Sequence, residues 1–245
     1  MKSYKIKYGF LNQPELRTVV ICVILAIPTV YIISNSDVLI RSSIAVFFQN
    51  HNAVSFFYDK ITPLLNFIFH GMPQFTVAVV ILILGRYRFP ELFAHGKIAL
   101  ISLCSSGLAV QAIKHIVGRG RPRVTETFIA VGPTLNGDYD SFPSGHTVLA
   151  FTIAVLMTHY FPNFRVPAYM YAALSAFHRV KTGSHFPSDV TAGAFVGVVI
   201  ANIVLYYFRD NGKYEETTNK REELKPRKSR KSRKTESEKE AENGC

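Results

Sequence analysis

The stretch VTAGAFVGVVIANIVLYYF, residues 190–208, runs for 19 positions without a charged side chain. Crossing the hydrocarbon of a bilayer takes roughly 20 apolar residues in a helix, so this segment reads as a membrane span. Working outward from it, five more apolar runs appear: Thr18–Ile33, about Leu64–Leu84, Ile98–Ile113, Thr147–Phe161 and Val166–Phe177. The charged residues collect between the runs and after Phe208. The fold expected is an all-α, polytopic membrane helical bundle of about six spans, over residues 1–208. A basic cytoplasmic tail, 209–245, follows and is expected to be disordered.

Local features refine this picture. The first run follows Lys2, Lys5, Lys7 and Arg17 but exits through Tyr31-Ile-Ile-Ser-Asn35. That exit lacks the small-x-small pattern of a cleaved signal peptide, so a retained span is expected, tilted or kinked at Pro28. From Ser34 to Lys60, Ile44, Phe47, Phe48, Phe56, Phe57 and Tyr58 interleave with polar residues, which suits a helix lying in the interface. The fourth and fifth runs fall short of a ~30 Å core at ~1.5 Å per residue. Two short helices in succession suggest a site sunk slightly below the membrane surface.

The chain of 245 residues is 48% hydrophobic and carries a formal charge of +11. Nucleic-acid binding is the weaker reading of that charge, because the Lys and Arg lie in the tail and beside the apolar runs. Basic residues in such places set topology. The N-terminal lysines, Arg86, Arg88, Lys97, Arg165 and the tail fall on one, cytoplasmic, side. The loops Lys114–His146 and Arg179–Asp189 then face outward. Cys22 and Cys104 fall in apolar runs and Cys245 is the last residue. Neither a disulfide framework nor metal-ligand spacing emerges, and buried, unreactive thiols are expected.

Those two outward loops hold three clusters. Lys114-His-Ile-Val-Gly-Arg-Gly-Arg121-Pro122 ends the third run, Pro143-Ser-Gly-His146 begins the fourth, and Arg179-Val-Lys-Thr-Gly-Ser-His185-Phe-Pro-Ser-Asp189 links the fifth and sixth. Lys114, Arg121 and Arg179 match the oxygens of a phosphate with fixed charge and N–H donors. Ser144 and Gly145 sit where a helix begins, so their amides and the helix dipole can face an anion. His146 and His185 can divide acid and nucleophile work, with Asp189 taking an imidazole N–H from His185.

In this order and spacing the clusters resemble the type 2 phosphatidic acid phosphatase superfamily. Its signature is Lys, six residues, Arg-Pro; then Pro-Ser-Gly-His; then Ser-Arg, five residues, His, three residues, Asp. The one departure is His178 in place of Ser, where an imidazole suggests a proton-dependent donor or an altered substrate fit. The resemblance implies that His185 is the nucleophile forming a phosphohistidine, His146 the general acid and Asp189 the partner of His185. It implies that Lys114, Arg121, Ser144, Gly145 and Arg179 bind phosphate, and that neither a metal nor another cofactor is needed. Soluble vanadate-dependent haloperoxidases share the pocket, but the apolar runs argue against that branch. The substrates implied are lipid A phosphate, polyprenyl diphosphate, phosphatidylglycerol phosphate or phosphatidic acid. The expected place is the plasma membrane, the inner membrane in a Gram-negative cell, with the site on the periplasmic side.

Two alternatives stay open at this point: transfer of the same phosphoryl group to a second lipid, and a non-catalytic lipid-binding or transport protein. Arg119 and Arg123 read as accessory contacts to headgroups or solvent. His51, His70, His95, His115 and His159 match no part of the signature and read as structural or interfacial.

Overall fold

The computed structural model describes residues 13–223. Its helices are α1 Pro14–Ser34, α2 Asp37–Asn50, α3 Asn52–Phe69, α4 Gly71–Tyr87, α5 Pro90–Val117, α6 Gly145–Tyr160, α7 Arg165–Lys181 and α8 Pro187–Glu223. Single 3-10 turns lie at Gly137–Tyr139 and Pro162–Phe164. Among the described residues, β-pairing is confined to one isolated bridge between Arg119 and Ala130. The fold is an all-α membrane helical bundle.

Helix α1, the Leu92–Val117 part of α5 and the Pro187–Arg209 part of α8 are each long and apolar enough to cross a membrane. Apolar side chains stand exposed around α1, among them Ile21, Ile24 and Ile27, as on a helix whose solvent is lipid. Cys104 is likewise exposed on α5, not buried as expected. The expected second span is broken: α3 ends at Phe69, α4 starts at Gly71, and the two, apolar enough together to cross a membrane, are bent by 42° at the break. The reason is local. His70 is extended (ψ 145°) and its Nδ1 accepts the Met72 N–H, while Pro73 fits only the first turn of a new helix. The third span also starts earlier than expected, with Pro90 at its first turn, so that His95 and Lys97 are helical.

Helices α6 and α7 have 16 and 17 residues, about 24–26 Å of helix, and are the short pair anticipated. Val148, Ala150 and Ala154 of α6 are fully buried. Ala150 and Ala154 pack on Ala172 of α7, and Val155 and Leu156 pack on Ala201 and Leu205 of α8. The hydroxyls of Thr152 and α5 Ser106 meet at 2.8 Å. A Cβ on Gly197 would come within 2.4 Å of the Val148 carbonyl oxygen, and one on Gly193 within 2.8 Å of the Ser144 carbonyl oxygen. Glycine at these positions lets the α8 backbone lie directly against α6.

The chain forms two compact units that divide at Tyr206, and the first contains the elements described so far. In the second, the described residues continue α8 to Glu223, where a disordered tail was expected from residue 209. That stretch is rich in Lys, Glu and Arg, which are good helix formers. The remainder of the expected tail lies outside the described residues.

Candidate active site

The C-terminal ends of α5 and α7 and the N-terminal ends of α6 and α8 meet at one end of the bundle. They enclose a pocket of about 320 Å³ whose walls include Lys114, Arg121, Gly145, His146, Arg179 and His185. Six of the eight residues singled out from the sequence therefore share one cavity. Ser144 and Asp189, both fully buried, stand behind its wall. His70, Gln111 and Ser184 also line it.

The first intrahelical bond of α6 runs from the Val148 N–H to the Ser144 carbonyl. The Gly145, His146 and Thr147 amides therefore have no helical acceptor, as at any helix start. Gly145 and His146 are in the pocket wall, where these donors and the positive end of the dipole suit an anion. Ser144 differs from expectation. Its amide donates to the Asp189 carbonyl at 3.0 Å and its hydroxyl accepts from Thr147 at 3.1 Å. Those bonds tie α6 to α8 and use the Ser144 amide, while its hydroxyl, an acceptor here, keeps its own proton to donate.

His185 is 3% exposed. Its Nδ1 lies 2.8 Å from the Ser141 carbonyl, an acceptor only, so Nδ1 carries the proton and Nε2 keeps its lone pair. The sequence suggested Asp189 for this contact. Asp189 stays within ion-pair range of His185 Nδ1 at 3.7 Å, beyond hydrogen-bond distance. Its oxygens are committed elsewhere, accepting from the Ser141 hydroxyl at 2.6 Å, the Phe186 N–H at 2.8 Å and Arg119 at 2.5 Å. Asp189 thus fixes the segments on both sides of the imidazole. Burial pulls the His185 pKa below the ordinary histidine value, and Asp189 offsets part of that shift.

Arg119, read from the sequence as an accessory contact, is fully buried. It donates to Asp189 and Ser188 through one amino group and to Asp37 at 2.7 Å through the other. The rings of Phe128 and Phe186 lie 4.4 and 4.3 Å from its guanidinium carbon. Asp37 at the start of α2 also accepts from the Ser188 amide at 2.8 Å and the Ser188 hydroxyl at 2.5 Å. Arg123 does remain an exposed pair with Asp138.

Asp140, which the sequence reading passed over, bridges two of the cations. It accepts from Arg121 Nε at 2.6 Å and from Lys114 Nζ at 3.4 Å. Burial pushes its carboxyl up, but the Arg121 hydrogen bond and the Lys114 charge outweigh this and hold it below the usual carboxylate range.

His178 is 1% exposed and does not reach the pocket. Its Nε2 lies 2.9 Å from the Asn66 carbonyl oxygen and its Nδ1 2.6 Å from the Tyr58 hydroxyl. Asn66 Oδ1 also accepts from Arg179 at 3.5 Å. The imidazole pins α7 to α3 and does not act as the proton-dependent phosphate donor expected in place of Ser. His178→Ser is expected to lower the melting temperature in detergent and to raise KM about fivefold with kcat retained, the scale of one lost hydrogen bond. A matching fall in kcat with KM unchanged would contradict this positioning role.

His146 makes edge-to-face contact with His70, ring centres 5.5 Å apart, across the break between α3 and α4. His70 is hard to single out in the sequence because it falls inside what reads as one apolar run. Among the described residues, no cluster of three or more His, Cys, Asp or Glu is arranged to hold a metal ion.

These features define a helical membrane protein with a pocket of three cations and the imidazoles of His146 and His185 at one end of the bundle. The PAP2 superfamily model matches residues 96–213, the stretch that carries all three clusters. The chain is 35% identical over 107 residues to a lipid A 1-phosphatase of Rhizobium johnstonii, covering 42% of this chain and 43% of the relative. It is 29% identical over 131 residues to a lipid A 1-phosphatase of Porphyromonas gingivalis, covering 50% of this chain and 27% of the relative. The chain thus spans less than half the length of these relatives. Among solved structures, Aquifex aeolicus LpxE aligns with a TM-score of 0.50 and 25% identity, over 62% of this chain and 87% of that one. The PAP2-type phosphatidylglycerolphosphate phosphatase of Bacillus subtilis aligns with a TM-score of 0.58 and 20% identity, over 80% and 96%. At that identity the second likeness speaks for the fold.

Proposed function

We propose that the protein is a membrane phosphatase that removes phosphate from a lipid through a phosphohistidine intermediate. The observation that carries this reading is one pocket lined by two imidazoles and three cations, with the start of α6 in its wall. Lys114, Arg121, Arg179 and the free amides of α6 hold the phosphate oxygens. His185 Nε2 attacks phosphorus as the bond from phosphorus to the lipid oxygen breaks; His146, kept neutral by burial and the Arg179 charge, takes a proton from the incoming phosphate monoester and gives it to that oxygen. Water, deprotonated by His146, then attacks phosphorus, breaking the N–P bond and releasing inorganic phosphate. The cations stabilise the charge on the equatorial oxygens in both steps.

Among the four substrate classes named above, the relatives support a lipid A phosphate. The distribution of basic residues supports a site on the periplasmic side of the plasma membrane. The test is phosphate release from a panel of the four lipid classes by purified protein in detergent, with His185→Ala as control. Release from lipid A ahead of the others supports the substrate assignment. Equal release by the His185→Ala protein would remove the mechanism.

The depressed pKa of His185 predicts the acid side of the pH profile. Nucleophilic Nε2 must be unprotonated, so a lowered pKa moves the loss of activity to lower pH. With nitrophenyl phosphate, whose leaving group needs little proton donation, kcat/KM is expected to hold as pH falls through 6.5, the ordinary histidine value. An acid limb centred above that value would contradict the buried, neutral imidazole.

A further inference from the structure

A second cavity, of about 520 Å³, lies on the other side of the α7–α8 connection, bounded by Arg41, Gln49, Asn52, Ser55, Lys181 and Gly183. It shares no lining residue with the first pocket, although Lys181 and Gly183 lie along the chain between Arg179 and Ser184. Both of its cations are half-buried. Among the described residues, neither Arg41 nor Lys181 has a carboxylate within ion-pair distance. Aromatic faces hold them instead. Lys181 Nζ lies 4.4 Å from the Phe48 ring centre and 5.1 Å from Tyr58, and Arg41 lies 5.4 Å from Phe186. Cation–π contact fixes such groups while leaving N–H donors for an anion.

A third cavity of about 510 Å³ adjoins this one through two common residues, Ile44 and Phe48. Its other walls include Leu39, Ile40, Phe47 and Phe177. Leu39 and Phe47 are 68% and 49% exposed, so the apolar cleft opens outward. Two cations with no carboxylate partner among the described residues thus line one cavity of this groove, and hydrocarbon side chains line the cavity beside it. In a membrane-embedded protein that division matches one molecule type, an amphiphile with an anionic head and an acyl chain.

We propose that this groove binds an anionic glycerophospholipid, its phosphate on Arg41 and Lys181 and an acyl chain along the α2 cleft. The lipid is not a substrate, since it sits outside the catalytic pocket. Arg41 itself rests on Phe186, a fully buried ring that separates it from Arg119.

The experiment is native mass spectrometry of the full chain in detergent with dioleoyl phosphatidylglycerol or dioleoyl phosphatidylcholine. The first lipid is a phosphodiester, so monoester hydrolysis does not consume it. Wild-type protein is expected to retain phosphatidylglycerol roughly ten- to thirtyfold more strongly, as two basic groups near an anionic headgroup imply. The R41Q/K181Q protein, still hydrolysing nitrophenyl phosphate, should lose the preference. K181M alone, which keeps the stem against Phe48, should lose part of it and serves if the double variant does not fold. Saturating vanadate should leave retention unchanged, and chain-free glycerol phosphate should not compete. Preference left intact in R41Q/K181Q, or undiminished in K181M, would place the anionic lipid elsewhere on the protein and overturn the proposal. Displacement by vanadate would place the lipid in the catalytic pocket, and equal competition by glycerol phosphate would reduce the groove to a simple anion site; either result also overturns it. Because retention is read without turnover, failure here is separate from failure of the phosphatase reading.

Discussion

Replacing His185 by Ala is expected to abolish phosphoenzyme formation and to lower phosphate release on the order of 10⁴-fold or more, as loss of a nucleophile does. The geometry gives the reason. The Ser141 carbonyl holds Nδ1 in its protonated state at 2.8 Å, and no neighbouring group can replace the Nε2 lone pair at that place. His146→Ala should behave differently. It should cost ~10²–10⁴-fold with a lipid leaving group, which needs a proton to depart. A nitrophenyl leaving group should restore much of the first step. The measurement is trapping of acid-labile phosphoenzyme in both variants, beside rates for both leaving groups. Phosphate trapped on the His185→Ala protein would reverse the roles.

The second large effect concerns a residue behind the pocket wall, bonded to Asp189. Arg119→Met is expected to destabilise the protein by about 3–5 kcal/mol, the usual cost of removing one partner from a buried ion pair. Asp37 and Asp189 would be left facing each other's charge where both now bind the guanidinium. Thermal unfolding in detergent is the readout. Arg119→Met/Asp37→Asn should recover part of the loss by removing one uncompensated charge. A single variant that melts within a degree of wild type would show that the pair contributes little.

The pocket proposed as the active site was legible in the sequence because its groups sit at fixed short spacings beside helix ends. Lys114 and Arg121 are joined through one helix end and turn, and His185 and Asp189 lie four residues apart. What supports the pocket was not legible. Arg119 is 82 positions from Asp37 and 70 from Asp189, and nothing in a stretch of mixed aromatic and polar residues announces that its first carboxylate crosses the bundle. His178 looked like a changed phosphate ligand because its local pattern aligns with one. Its partners Tyr58 and Asn66 come from a distant helix and settle its orientation otherwise. The break at His70 was hidden for a different reason. Hydropathy registers apolar content, and Phe-His-Gly-Met-Pro interrupts backbone geometry more than it lowers hydropathy. The end of the bundle rests on both kinds of information, but only the first is periodic.

Asp140 bears on turnover. The resting pocket already contains an anion of its own, a carboxylate shared by Lys114 and Arg121. An arriving phosphate competes with it for the same two cations, and a departing phosphate is replaced by it. Such a tethered competitor weakens substrate and product alike, so it tunes product inhibition more than the barrier to chemistry. On the proposed assignment, Asp140→Asn should bind inorganic phosphate more tightly and turn over more slowly at saturation. Inhibition by added phosphate, compared between the two proteins, measures this directly. A catalyst at a lipid surface gains from that arrangement, since its small ionic product must leave while the much larger lipid stays in the bilayer.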